Sequence, residues 1–259
     1  MFGDISQATI FFLILAAFSA GLVDAIAGGG GLIQLPALLI GLPQASTVEV
    51  LGTNKVASIF GTSASALMYR RSVKTDAKFL ASMAIPAFFG SVLGALSASK
   101  IPTQSMRPIV FILLVAVAVY TWRKPDLGAM EQLRHATKKR FSISALAGVV
   151  IGFYDGIFGP GTGSFLMLTL IYLGFAFLSA SAIAKVVNVS TNLGAILVFG
   201  FHGAIIWQVA LVLAAANIVG GLMGARLAIS GGSTLIRKVF LLVTLALILK
   251  VGLDTVTNW

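Results

Sequence analysis

Ten apolar segments, five on each side of one charged break, decide what this chain can become. A helix needs about 20 mostly apolar residues to cross the ~30 Å hydrocarbon core of a bilayer. The first segment runs from Ala8 to Ala27, the third from Val48 to Tyr69 and the fourth from Phe79 to Ala98, and each is long enough. The second, Leu32 to Leu42, is about half that length, and the fifth runs from Pro108 to Trp122. The break, Arg123 to Arg140, holds Pro125, Asp126, Glu131 and the basic run Lys138-Lys139-Arg140. The second five begin near Phe141, Phe165, Ala182, Ile205 and Val239. This pattern predicts an all-α integral membrane protein, a polytopic helical bundle with eight to ten hydrophobic segments.

Composition agrees. Only 10% of the 259 residues are charged, against about 25% in a soluble domain. Cys is absent, which excludes disulfides, thiolate metal sites and Cys nucleophiles. The two histidines, His135 and His202, are far apart and offer little to a metal site or a triad, so neither cofactor nor metal is expected. The first segment has no basic residue before it and reads as a retained span rather than a signal peptide.

The net charge of +10 would suggest nucleic acid in a soluble protein. Here it reports orientation. Arg70, Arg71, Lys74 and Lys78 follow the third segment, and Arg123, Lys124, Arg134, Lys138, Lys139 and Arg140 fill the break. Arg226, Arg237 and Lys238 fall between the last two segments, in an expected loop. Basic residues mark the cytoplasmic side. Alternating crossings then place the break inside and both termini outside, with Lys100, Arg107 and Lys250 on the outer side. Trp122, Trp207 and Trp259 fall at segment ends, where interfacial anchors belong. No nucleic-acid partner is needed; the lipid bilayer is the expected surroundings.

The two halves resemble each other. Gly21-Leu22-Val23-Asp24-Ala25-Ile26-Ala27-Gly28 reads against Gly152-Phe153-Tyr154-Asp155-Gly156-Ile157-Phe158-Gly159. Lys55 matches Lys185, Gly90 and Gly94 match Gly220 and Gly224, and Arg107 matches Arg237. Matches in order at a nearly constant offset point to duplication. The domain expectation is a first transmembrane repeat over 1–122, a cytoplasmic linker over 123–140 and a second repeat over 141–259, together one transport unit. Matched loops fall on opposite sides by the charge pattern, so the repeats are inverted, an architecture that places a binding site near the membrane midplane.

Candidate site residues cluster at matched positions. Gly28-Gly29-Gly30-Gly31 and Gly159-Pro160-Gly161-Thr162-Gly163 cannot comfortably continue a helix. A broken or re-entrant helix is expected in each half, its N-terminal amides suited to an anion. Gly29, Gly30, Gly31, Gly161, Thr162 and Gly163 are therefore expected at the substrate; close packing through small residues is the plainer reading. Lys55 and Lys185 lie inside hydrophobic segments, where a charge costs several kcal/mol (about +2.5 to +3.5) and signals function. Ser58 and Thr62 share a helix face with Lys55, as Asn188 and Asn192 do with Lys185. Gln34 and Asn54 are further candidate ligands. Asp24 and Asp155 are assigned to coupling or gating, by carrying a proton or by pairing with lysine, and the within-half pairs Lys55–Asp24 and Lys185–Asp155 are the expected ion pairs. Asn217 is expected to hydrogen-bond between helices, and Gly90, Gly94, Gly220, Gly221 and Gly224 to form packing faces.

At these residues the chain resembles the TauE/SafE family of sulfite and organosulfonate exporters, also called TSUP. The resemblance rests on Gly21 to Gly31, on Leu51-Gly52-Thr53-Asn54-Lys55, on Tyr69-Arg70-Arg71, and on the recurrence of these in the second half. It implies a transporter of the cytoplasmic (inner) membrane for small, often sulfur-containing anions such as sulfite, thiosulfate or sulfoacetate. The expected function is alternating-access transport of such an anion; an anion channel, or a carrier of another small organic anion, is the alternative. Proton coupling and a homo-oligomeric state are both compatible with it. The two lysines argue against a cation transporter. Without a nucleophile–base pair or a metal cluster, the chain is not expected to be an enzyme.

Overall fold

A computed structural model describes residues 6–98, 128 and 130–257. Eight helices account for nearly all of them. They are α1 (Gln7–Ala27), α2 (Gly31–Gly41), α3 (Thr47–Ser72), α4 (Ala77–Ser97), α5 (Thr137–Ile157), α6 (Thr162–Tyr172), α7 (Phe177–Phe201) and α8 (Trp207–Thr257). The expected fifth segment, 108–122, lies outside the described residues, as do Lys100, Arg107, Trp122 and Trp259 and most of the charged break. So do the side chains at the end of α8, Lys250 among them.

The all-α expectation holds. Among the described residues, five helices are long and apolar enough to cross a membrane, and the chain is a multi-pass membrane protein. Its exterior confirms this in a way a soluble fold would not. Phe11, Phe89, Leu146, Phe201, Leu211 and Leu242 point outward, while Lys55 and Lys185 are buried. An apolar outside and a polar centre suit lipid, not water.

Helix starts fall at matched positions in the two halves. α1 and α5 begin at 7 and 137, α3 and α7 at 47 and 177, α4 and α8 at 77 and 207; the short α2 and α6, each 11 residues, begin at 31 and 162. The halves interlock rather than sit side by side. α1 packs chiefly on α8, and α4 on α5, so each half's first helix lies against the other half's fourth. Glycine permits these contacts. A Cβ at Gly90 or Gly94 would strike the carbonyl oxygens of Val149 and Phe153, and one at Gly220 or Gly224 those of Phe18 and Leu22. Backbones this close are held by van der Waals contact, which lipid cannot weaken as it does hydrophobic association. α3 and α7 fill the centre between these pairs.

Two boundaries differ from the sequence expectation. α7 starts at Phe177, five residues before Ala182, because the buried Phe177 seats against the Phe240 ring, 5.8 Å away. No loop surrounds Arg226, which lies within α8. The turn there is a single residue, Gly232, at φ 60° and ψ −163°, a conformation open essentially to glycine alone. The Gly231-Gly232 pair, flanked by Ser230, Ser233 and Thr234, breaks the helix between Arg226 and Arg237, within the stretch where the loop is expected.

Candidate functional site

The two helix breaks meet at the centre of the bundle. α1 ends on Gly28 at φ 79°, and the second break carries Gly159 at φ 91° and Gly161 at φ 84°. Gly28 and Gly163 touch backbone to backbone: a Cβ on either would fall 2.4 Å from the other residue's main chain. α2 and α6 both start here, and neither has a side-chain cap.

The end of α1 is held by three other helices. The last carbonyls of any helix lack an intrahelical donor. Here the Tyr69 hydroxyl (α3) donates to the Ala25 carbonyl at 2.9 Å, Ser181 (α7) to Ile26 at 3.1 Å and Ser164 (α6) to Ala27 at 3.2 Å. The Lys185 ammonium donates to the Asp24 carbonyl. The second break is tied more locally: Tyr154 donates to the Pro160 carbonyl at 2.5 Å, and Thr162 to Gly159 at 2.7 Å.

Between the breaks lies a cavity of about 30 Å³. That is room for about two waters or one compact ion. Asp24, Gly30, Gly31 and Gln34 line it from α1 and the first break; Asn54, Lys55, Ser58 and Thr62 line it from α3. Asp155, Gly161, Thr162 and Gly163 come from the second break, and Asn188 and Asn192 from α7. The sequence spacing thus brings nearly all its candidates to one place.

Two candidates are not brought there. Gly29 faces the other way, into an apolar groove, and a Cβ on it would lie 2.2 Å from Val243. One step along a helical break turns a residue by about 100°, enough to exchange cavity for groove. Lys185 does not line the cavity either. It is fully buried behind Asp24, bonded to both its carboxylate and its carbonyl.

The ion pairs also differ from expectation. Lys55 pairs with Asp155 at 2.7 Å, and Lys185 with Asp24 at 2.8 Å, so each lysine takes the aspartate of the opposite half. The interlocking explains the exchange, since α3 and α7 cross where the opposite break ends. Within-half pairing is corrected accordingly. The pairs are not equivalent: the Asp24 carboxylate is 18% exposed, that of Asp155 only 5%. Gly159 leaves the space for the buried pair, since a Cβ there would lie 3.1 Å from Lys55 Nζ.

Three buried amides keep a side-chain atom without a hydrogen-bond partner among the described residues. They are Gln34 at Nε2, and Asn54 and Asn188 at Oδ1. A buried polar group left unpaired costs about 1–3 kcal/mol; Gln34 Nε2 can donate to an acceptor, whereas the two asparagine oxygens can only accept. Asn217 is the cavity residue that sequence reasoning placed elsewhere. It does make the interhelical bond expected of it, donating Nδ2 to Gln34 Oε1 at 2.5 Å, but it also lines the cavity. The repeat offset carries no signal for it, because the matched position is Ala87.

The family described as Sulfite exporter TauE/SafE matches residues 13–251. This chain belongs to that family. Among curated relatives, the Probable membrane transporter protein ORF9 of Sinorhizobium sp is 40% identical over 97% of this chain and 95% of its own length. A Probable membrane transporter protein of Haemophilus influenzae is 35% identical over 97% of both chains. The Probable membrane transporter protein YfcA of Escherichia coli is 35% identical over 97% of this chain and 92% of its own. No solved structure matches the chain. TauE/SafE membership and the multi-pass helical fold agree with the resemblance read from the glycine breaks. The cavity at those breaks is therefore the natural candidate for the transport site of a TauE/SafE protein.

Proposed function

We propose that this TauE/SafE protein is a secondary transporter that exports a small, sulfur-containing oxyanion such as sulfite, thiosulfate or an organosulfonate, by alternating access around the central cavity. The observation that carries this reading is the cavity itself: a lysine, amides and helix N-termini converge where two half-helices from opposite halves touch. In this reading the halves are inverted repeats rocking about that contact. Lys55 supplies charge. Ser58, Thr62, Asn54, Asn188, Asn192 and Gln34 supply hydrogen bonds, and the amides at Gly30, Gly31, Gly161, Thr162 and Gly163 supply backbone donors. The cavity's small volume favours a compact inorganic oxyanion over an organic one in this state of the protein.

Charge balance gives coupling a physical basis. Lys55 already has a carboxylate partner, so an arriving anion competes with Asp155 for the same ammonium. A proton on Asp155 removes the competitor and leaves Lys55 free for the anion. Anion and proton then bind and move together, so export in this scheme is driven by the anion's own outward gradient rather than by the inward proton gradient. Asp24 and Lys185 form the gate-side pair, holding α1 to α7. The basic residues after α3 and around the start of α5 favour an inner-membrane orientation with the linker cytoplasmic and both termini outside.

Uptake of labelled sulfite, thiosulfate and sulfoacetate into proteoliposomes, with and without a pH gradient, tests this. Saturable flux of one of them, driven by the gradient, is the expected result. Flux of none overturns the reading. Flux that never saturates makes the protein a channel, and flux indifferent to the gradient removes the proton from the mechanism.

A further inference from the structure

We infer that Asn217 is a positioning residue that aims the Gln34 amide into the cavity and thereby makes the site select polyatomic oxyanions over halides. The inference rests on the oxyanion reading above. Gln34 stands in the first turn of α2 and is 1% exposed. Its Oε1 accepts from Asn217 Nδ2, which leaves Nε2 as the free end of the amide, without a partner among the described residues. A free N–H pair at a cavity wall seeks an acceptor.

Asn217 is itself fixed by two glycines. A Cβ at Gly21 would fall 2.5 Å from the Asn217 carbonyl oxygen and 3.0 Å from its Oδ1, and one at Gly61 would fall 2.7 Å from both. The Asn217 oxygen therefore sits in a notch between α1 and α3 that only glycine leaves open. With Oδ1 in the notch, Nδ2 faces Gln34. The amide orientation at the cavity is thus set by a chain of contacts running from the notch to Asn217 to Gln34.

The arrangement exists on one wall only. By the helix starts, the residues matched to Gln34 and Asn217 are Phe165 and Ala87, which carry no such donor. A ligand therefore meets Lys55 and the Gln34 amide as two distinct points. An oxyanion can place one oxygen at each. A halide has one centre and would have to draw both donors to it. The second point is where discrimination arises, because an unmet buried donor disfavours the ligand that cannot reach it.

The test is binding of radiolabelled sulfite to the full-length protein in lipid nanodiscs, with chloride as competitor. Asn217→Ala, which copies the residue of the matched position, is expected to weaken sulfite binding about tenfold while chloride competes as before. Gln34→Met is expected to do the same, and the double variant to be no weaker than either single. If Asn217→Ala does not fold, Gln34→Met carries the same sulfite-to-chloride expectation. Sulfite and chloride weakened together, sulfite affinity unchanged, or additive losses in the double variant each overturn the inference while the oxyanion reading stands. Wild-type protein that binds no sulfite or thiosulfate overturns both.

Discussion

Lys55 and Asp155 stand 2.7 Å apart, nine-tenths or more buried, although they belong to opposite halves of the chain. Lys185 and Asp24 repeat the relation in reverse. Each half therefore neutralises the other's intramembrane charge, and neither is electrostatically complete alone.

Breaking one of these pairs strands a charge in a low-dielectric centre. Lys55→Leu is expected to destabilise the protein by about 3–5 kcal/mol. The double variant Lys55→Leu/Asp155→Leu should recover most of that stability, because no buried charge remains unpaired, yet it should not transport. Thermal melting in detergent and uptake in proteoliposomes read the two outcomes separately. A double variant as unstable as the single one would show that the pair acts through something other than charge.

The chain has no cysteine, so introduced ones report without background. Ser58→Cys and Asn192→Cys line the cavity and should react with a small charged thiol reagent, with substrate protecting them. A cysteine at Lys185 should stay unreactive, because that position is sealed behind Asp24. Equal labelling at position 185 would place it on the pathway after all.

Contact between the two breaks tolerates no added atom. Gly163→Ala should force α6 away from Gly28 and cost at least about 2 kcal/mol. Gly200→Ala is the control. Its nearest neighbour would be 3.7 Å away, so the same substitution should be neutral or slightly stabilising. Melting temperatures of the two variants decide between contact and mere helix propensity.

Much of this architecture was legible in the chain. The ends of α1 and α5 are marked by glycine runs, and helix starts follow the apolar segments to within a few residues. The cavity followed too, because i, i+3 and i+7 spacing from Lys55 and Lys185 puts their polar neighbours on one face. What sequence could not supply was contact between halves. The exchanged ion pairs depend on α3 crossing the end of α5, which no spacing within either half encodes. Gly29 departs from its expected place because one residue's rotation separates cavity from groove. The break at Gly232 falls inside the expected loop between Arg226 and Arg237, but spacing does not show that the loop shrinks to one glycine.

Tyr69→Phe removes one hydroxyl and leaves the buried Ala25 carbonyl without that donor. A loss of about 1–3 kcal/mol is expected, without change in substrate affinity, since Tyr69 lies outside the cavity. Melting and binding measured on the same preparation check both halves of the statement.

The polar ties at the two breaks differ in redundancy. Three hydroxyls from three helices would still grip the end of α1 if Lys185 let go of Asp24. At the second break, Tyr154 and Thr162 bond only to their own stretch of chain, and the reach to α3 is the single bond between Lys55 and Asp155. One ion pair is thus a reinforced joint and the other a latch. Chemistry that opens Lys55 from Asp155 changes how the halves are fastened, whereas the same event at Lys185 leaves most of the fastening in place.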